Sequence, residues 1–332
     1  MSNEPGVSVV IPFYNTAEYL EEAIESVLAQ SYASFELVLV DNKSTDGSDV
    51  IAARAAARDS RVRLVHNTDF LSQVQNYNHA LAQISPASRY CKMVQADDAI
   101  MVHCLTEMVA LAEAHPSVGV VSSYRLYGNR VMPPVMPEVK PMMSGREAGR
   151  MALRDDVSLF GTPTTLMIRS EIVRRRAPFY AEGRYFEDVD LVYELLVDCD
   201  FGFVPQILSF QRPDARSTWG RMRDYYPSDL ARLLQLEMYG RNYLEPDELA
   251  RVRTAHEAAY RRLLAAAFLQ RREPEFWAYH RKGLATAGLS IERLALARAA
   301  FSVAVDKVLD PRSAVAALTR LARRKTSRRR DP

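Results

Sequence analysis

Five short apolar runs, separated by four stretches of helical period, fill the first 120 or so residues of this 332-residue chain. Val7-Ser8-Val9-Val10-Ile11 comes first. It lacks polar alternation, as a strand buried on both faces of a parallel sheet does. Pro12 is expected to end it. Asn15-Thr16-Ala17-Glu18 has the form of a capping box, and Leu20, Ala23, Ile24, Val27 and Leu28 then fall on one helical stripe. Phe35–Val40 repeats the strand pattern and ends at Asp41-Asn42. Two such strands joined by a helix form a parallel, right-handed β-α-β unit. The rhythm continues through a helix from Ser44-Thr45-Asp46-Gly47 to about Arg58, a strand at Val62–His66, a helix over roughly Ser72–Ile84, a strand at Tyr90–Val94, a helix at Val102–Ala114 and a strand at Val118–Ser122. The expected class is α/β, with a Rossmann-like doubly wound, mostly parallel sheet.

Ligands of such sheets bind at the strand carboxyl ends, near the point where strand order reverses. Polar residues stand there in three places: Tyr14/Asn15, Asp41/Asn42 and Asp97/Asp98. The first turn, Pro12-Phe13-Tyr14-Asn15, contains no glycine, and no Gly-x-x-x-x-Gly-Lys loop occurs in the chain. Both dinucleotide and P-loop modes of holding phosphate need such glycines. Adjacent carboxylates at the end of a buried strand repel each other, and a divalent cation carrying phosphate oxygens relieves that repulsion. Asp98 is therefore read as a direct metal ligand. Asp97 would meet a ribose hydroxyl or a metal-bound water. The bland alternative is that one of the two caps the helix Val102–Ala114.

Three segments taken together resemble the successive signatures of family 2 glycosyltransferases of the GT-A fold. They are Val9-Val10-Ile11-Pro12-Phe13-Tyr14-Asn15, Leu39–Ser48 with Asp41-Asn42, and Gln95-Ala96-Asp97-Asp98. The resemblance covers roughly residues 7–215. It implies that Pro12, Tyr14, Asn15 and the Asp41-Asn42 pair surround the nucleoside, a UDP-sugar being the expected donor. It implies that Asp97 and Asp98 bind ribose, diphosphate and Mn²⁺ or Mg²⁺, and that Asn78, in Asn78-His79-Ala80, borders the donor. Glu187-Asp188, within Tyr185–Leu191, matches the family's Glu-Asp pair, whose aspartate is the base toward the acceptor. The chain departs from the pattern at Asn42, Gln95 and Tyr77, where the family often has aspartate, an acid and arginine. A phosphate-contacting cation is therefore sought elsewhere. The Gln-x-x-Arg-Trp signature of processive synthases is not met by Gln211-Arg212-Pro213, which favours transfer of a single sugar.

Prolines 133, 134, 137 and 141 argue against a long helix or central strand within 123–160. The segment reads as an excursion over the sheet, such as an active-site flap. Gly161–Ile168 reads as a loop entering a strand that returns to the core. Leu191, Val192, Leu195 and Leu196 place a helix after Asp188. From about Arg221 the period is helical, with three helices at Tyr225–Tyr239, Pro246–Gln270 and Glu273–Ala287. An apolar stripe of Ile291, Leu294, Phe301, Val305 and Val308 follows. Three domains are expected: a GT-A nucleotide-sugar-binding and catalytic domain at 1–220, a helical extension at 221–319 and a basic tail at 320–332.

That tail carries seven of the basic residues and one acid, leaving 36 basic and 40 acidic residues, net −4, in 1–319. The body is thus mildly acidic, and peripheral contact with an anionic membrane through the tail is expected, with no nucleic-acid partner. Three scattered cysteines, Cys91, Cys104 and Cys199, argue for a reducing compartment and against a disulfide framework. The polar start, without a signal peptide, and the lack of any long apolar run suggest a cytoplasmic location.

The whole points to an inverting, metal-dependent glycosyltransferase of bacterial-type cell-surface polysaccharide or glycoconjugate synthesis. It would use a carbohydrate or lipid-linked acceptor, with Asp188 as base and Glu187 beside it. The competing classes are a nucleotidyltransferase and a catalytically silent nucleotide-sugar-binding protein.

Overall fold

The computed structural model describes residues 6–133, 140–155, 158–213, 220 and 222–291. Strand β1 (Val7–Phe13) lies between β2 (Phe35–Asp41) and β4 (Tyr90–Met93) and runs parallel to both. Strand β3 (Val62–His66) extends the parallel array beyond β2. The chain steps outward through α1 (Ala17–Leu28) and α2 (Ser48–Arg58), then returns through α3 (Gln73–Leu81) to place β4 on the other side of β1. That reversal opens a crevice at the carboxyl ends of β1 and β4. Four further strands complete the main path: β5 (Ala99–Ile100), β6 (Val118–Tyr127), β9 (Met167–Arg169) and β10 (Asp200–Gln211), in the order β3-β2-β1-β4-β9-β6-β10-β5. Strand β9 is antiparallel to both its neighbours, while β6 and β10 are parallel. Two short strands, β7 (Arg130–Met132) and β8 (Met142–Met143), pair with β6 and β10.

Burial on both faces explains the continuous apolar runs. Val7, Val9, Ile11 and Phe13 join one core cluster with α1, α2 and α4 (Cys104–Ala114). Val10, Val38 and Val40 alternate with them, are equally buried, and lie outside that cluster, toward the face where α3 packs on β1 and β2. Pro12 does not end β1, which continues to Phe13 opposite Asp41. Val10 faces β4, since its carbonyl accepts from Val94, while Phe13 accepts from Asn42 on the β2 side. Pro12 therefore turns its missing donor toward β4, where the register has already ended at Val10–Met93.

Several expectations give way. The helix after β1 begins at Ala17 with Thr16 as N-cap, and neither Thr16 nor Asn15 caps it with a side chain. Its first amides are met from another loop: Thr16 N donates to Ser48 Oγ (2.9 Å) and Ala17 N to Asp46 Oδ2 (2.9 Å). Residues 123–160 are more regular than their prolines suggest. Strand β6 runs on to Tyr127, a hairpin leads into β7, and helix α5 (Gly145–Arg154) follows β8. Part of the expected flap, 134–139, lies outside the described residues. The twelve-residue β10 was not foreseen. Its register with β6 shifts between Val204 and Ile207, leaving Pro205 and Gln206 exposed in a bulge where a proline needs no ladder partner.

The chain divides into two units, one of Met1–Arg221 with Asn242–Leu244 and the other of Met222–Arg241 with Glu245–Pro332. Helices α8 (Pro227–Tyr243), α9 (Pro246–Leu269) and α10 (Pro274–Thr286) account for the helical period of the second unit. There His280 is fully buried, meets the Tyr260 hydroxyl at 2.5 Å, and has its pKa pushed down to about 4 by burial. Of the apolar stripe only Ile291 lies within the described residues; the rest of it and the basic tail lie outside them.

Glycine is required at the start of α5. A Cβ on Gly145 would stand 2.0 Å from Leu196 O and 2.3 Å from Cys199 O, both backbone atoms that cannot rotate away. Gly145→Ala should destabilise the protein by about 1–3 kcal/mol or more through overpacking. Urea unfolding measures it, and an unchanged midpoint would contradict this close approach.

Candidate active site

The turn after β4 buries a carboxylate. Asp98 N bonds back to Gln95 O at 3.0 Å, and the Asp98 side chain is only 3% exposed. Thr164 Oγ1 donates to its Oδ2 at 2.6 Å, and the backbone N–H of Arg212, just past β10, reaches Oδ1 at 3.4 Å. Burial, and then the charge of Asp97 beside it, push the Asp98 pKa up to about 7 despite both hydrogen bonds. Neither aspartate caps a helix here. Helix α4 starts at Cys104 with His103 as N-cap, and β5 intervenes.

Thr164 is fixed from three sides. Gln95 N donates to its hydroxyl at 3.0 Å, which directs the hydroxyl proton to Asp98. Its carbonyl accepts at 2.5 Å from Lys92 Nζ, which is 1% exposed and also donates to Leu166 O at 3.3 Å. A buried ammonium on β4 thus pins the 3-10 turn Pro163–Thr165 that supports Asp98. Burial pulls the Lys92 pKa down.

The crevice beside β1 and β2 holds the other expected residues. Tyr14 is exposed, with its ring edge-on to the more exposed Phe70 at 4.8 Å. Asn15 takes a positive φ of 51° and accepts from Thr45 N at 2.8 Å. Asp41 is buried between Ser44 N (2.9 Å) and the His66 ring (3.1 Å). Asn42 uses its amide inside the protein: it exchanges two 2.9 Å bonds with the Leu71 backbone and accepts from Asn67. It fixes the loop that carries Phe70. Asn78 behaves alike, holding Tyr180 N and O at 2.7 and 2.9 Å. Pro12 is buried in the strand beneath.

Helix α7 (Glu187–Leu195) begins with the two expected acids, and Leu191, Val192, Leu195 and Leu196 are buried as the stripe requires. Asp188 Oδ1 accepts from Val189 N at 2.9 Å. Burial and then the charge of Glu187 push the Asp188 pKa up to about 6, against the bond from Val189 N. Burial also raises that of Glu187. Tyr77, where the resemblance places an arginine, accepts from Gln73 and Gln95 and lies in the field of Asp97 and Glu187.

The structure thus brings Asp97, Asp98, Glu187 and Asp188 into one electrostatic neighbourhood, joined by a residue not foreseen. Arg125 of β6 is 7% exposed, and both Asp98 and Asp188 act on its charge. Thr164, Lys92 and Phe70 were also missed. Arg125 and Lys92 left a signal, since each is a lone cation inside an apolar strand; Phe70 left none. Among the described residues no group of three or more His, Cys, Asp and Glu side chains could hold a metal. A cation here would rest on Asp97 and Asp98 alone, with its remaining oxygens from ligand or water, as Mg²⁺ commonly does. The donors fit such an ion: hard oxygens whose mutual repulsion is already expressed in the raised pKa of Asp98.

The profile of Glycosyl transferase family 2 matches residues 8–176. EpsE of Bacillus subtilis (strain 168), named a glycosyltransferase, is 32% identical over 204 residues, which is 58% of this chain and 66%, just under two thirds, of EpsE's own length. Among solved structures, S. aureus TarS 1-349 in complex with UDP-GlcNAc superposes with a TM-score of 0.65 at 17% identity, covering 90% of this chain and 88% of that one. The mannosyltransferase PcManGT of Pyrobaculum calidifontis, in complex with GDP-Man and Mn²⁺, gives a TM-score of 0.52 at 19% identity, covering 93% and 89%. At these identities the two structures speak for the fold, a GT-A domain followed by a helical region.

Thr164→Val removes the hydroxyl between Gln95 N–H and Asp98 while keeping shape. It should cost about 1–3 kcal/mol, the usual penalty for leaving a buried polar group without its partner. Thr164→Ser should cost less. Equal stability of the Val and Ser variants in urea would show that the hydroxyl does not hold this turn.

Proposed function

The chain belongs to Glycosyl transferase family 2, and from that premise we propose that it transfers a single sugar, with inversion, from a nucleoside-diphosphate sugar to an acceptor hydroxyl. The observation that carries this reading is the pairing of two carboxylates on different elements, both pushed up by burial. Asp98 is held at the end of β4 by Thr164 and Arg212, and Asp188 stands at the start of α7 with a pKa near 6. A group with that pKa is ionised at neutral pH and still basic enough to take a proton in the transition state. The nucleoside would lie along Tyr14, Phe70, Asn15 and Asp41, in a pocket shaped by Pro12, Asn42 and Asn78. A UDP-sugar is the favoured donor, as in the TarS complex, although GDP-Man in PcManGT shows that this fold accommodates another base.

Mn²⁺ or Mg²⁺ held by Asp98 and Asp97 would act as a Lewis acid on the diphosphate. Asp188 removes the acceptor proton as the hydroxyl attacks the anomeric carbon opposite the leaving group, and that in-line geometry inverts the configuration. Burial, and then the charge of Glu187 beside it, keep the Asp188 pKa high. The acceptor is proposed to be a carbohydrate or lipid-linked hydroxyl of a bacterial cell-surface polymer. No helix among the described residues is long and apolar enough to cross a membrane. A cytoplasmic site of action, with residues 320–332 touching anionic lipid, completes the proposal. Deleting that tail should leave transfer intact and reduce sedimentation with anionic liposomes at low salt; unchanged sedimentation would remove this element. A nucleotidyltransferase would release pyrophosphate instead of nucleoside diphosphate, so product analysis separates the two classes.

The two carboxylates should fail differently. Asp98→Asn should weaken nucleotide and metal binding together. Asp188→Asn should keep nucleotide affinity while transfer falls by roughly 10²–10⁴-fold, the range for a lost general base. Because the raised pKa leaves Asp188 protonated below about 6, the wild-type rate should climb through that pH, a limb absent from Asp188→Asn. Calorimetry with UDP and Mn²⁺ beside turnover reads both; loss of nucleotide affinity in Asp188→Asn equal to that in Asp98→Asn would refute the assignment of roles.

A further inference from the structure

Arg125 is a buried guanidinium with hydrogen-bonding capacity left over. Its Nε donates to Gln211 Oε1 at 3.1 Å, while Nη1, also buried, has no partner among the described residues. Ser209, its register partner on β10, likewise has a buried hydroxyl without a partner. Leaving a charged donor buried and unpaired is costly, so such groups are normally completed by a ligand, water or another side chain. Gly161, at φ +75°, packs beside it: a Cβ there would stand 2.1 Å from Thr165 Oγ1 and 3.1 Å from Arg125 Nη1, so the turn comes this close to the guanidinium only as glycine.

The other cations near the strand ends are engaged. Arg212 bonds Glu22 at 2.6 Å and Asp97 O at 3.4 Å, and lies over the rings of Tyr19 and Phe210. Lys92 is taken by two carbonyls, and Lys43 by Thr68 O at 3.0 Å. Tyr77 offers no charge where the family resemblance places an arginine. Arg125 is left, and it lies close to Asp98: Gln211, which accepts from its Nε, directly precedes Arg212, whose backbone N–H reaches Asp98 Oδ1.

Building on the transferase reading above, the geometry points to Arg125 as the residue that receives the sugar-bearing phosphate of the donor's diphosphate and stabilises it as it leaves. In the step, the acceptor oxygen bonds to the anomeric carbon and its proton passes to Asp188. The carbon–oxygen bond to the phosphate breaks, and its electron pair stays on the phosphate oxygen. Charge grows on that oxygen in the transition state, so an N–H donor aimed there raises the rate more than it tightens ground-state binding.

The test compares the full-length wild type with Arg125→Met and Arg125→Lys. Uridine, UMP and UDP are titrated by calorimetry in Mn²⁺ and again in EDTA, and transfer is followed beside them. Arg125→Met should bind uridine and UMP as wild type does, lose about 10- to 100-fold for UDP under both conditions, as for a lost charged hydrogen bond, and lose more in kcat. Arg125→Lys should recover part of each. A role only in fold or charge balance would instead weaken UMP and UDP alike, or lower the urea midpoint and nothing else; either result overturns the proposal. So does unchanged UDP affinity with loss confined to the intact nucleotide sugar, which would place the arginine on the sugar. Should Arg125→Met fail to fold, the UDP-to-UMP affinity ratio of Arg125→Lys decides, an unchanged ratio overturning it. If wild type itself neither binds UDP or GDP nor transfers, the transferase reading falls first; if it does both and the variants match it, only the role of Arg125 falls.

Discussion

A carboxylate can be taken out of water only if something nearby compensates it, and Asp98 is the place where this fold meets that demand. Its oxygens are held by a threonine from the turn before β9 and by a backbone amide just after β10. Those segments are more than sixty and more than a hundred residues away in sequence. Insertion of β9 between β4 and β6, and the return of β10 alongside β6, serve to bring these donors to the end of β4. Even so, compensation is incomplete, and the acid remains poised near neutrality. A cleft that keeps one charge unbalanced is prepared to receive the opposite charge.

The same economy governs the asparagines. Asn42 and Asn78 occupy positions where polar side chains suggest ligand contact, yet each clasps the backbone of a distant loop. A carboxylate at either position could accept bonds but not donate one, so it could not grip both the N–H and the C=O of a peptide. What these positions select is the two-way valence of the amide. The rigid frame then leaves the exposed rings of Tyr14 and Phe70 as the adaptable surface.

How far this was legible depended on whether the deciding contacts were local. Strands β1 and β2 stood out because burial on both faces leaves a nearly unbroken apolar run, whereas the capping box of Ser72 and Gln75 that opens α3 emerged only in the structure. The acid pairs were readable as adjacent letters. Strand β10 was not, since Gly202 and Pro205 look like punctuation, yet Gly202 pairs in register with Val121 and Pro205 falls in the bulge. Arg125 was visible as an oddity in β6 but had no meaning until the sheet set it between two acids. Nor could the true cap of α1 be read, because it lies across a gap of some thirty residues.

That cap has a consequence for timing. Asp46, Ser48 and Ser44 bind the amides of Ala17, Thr16 and Asn15, and Asn15 answers by accepting from Thr45. The loops after β1 and β2 are thereby laced into one body before any guest arrives. Their disorder is removed during folding, at about 1–2 kcal/mol for each residue fixed, and is not charged again at each encounter. On the proposed reading, an arriving nucleotide would meet a finished wall, and its capture would call for docking and not for local refolding.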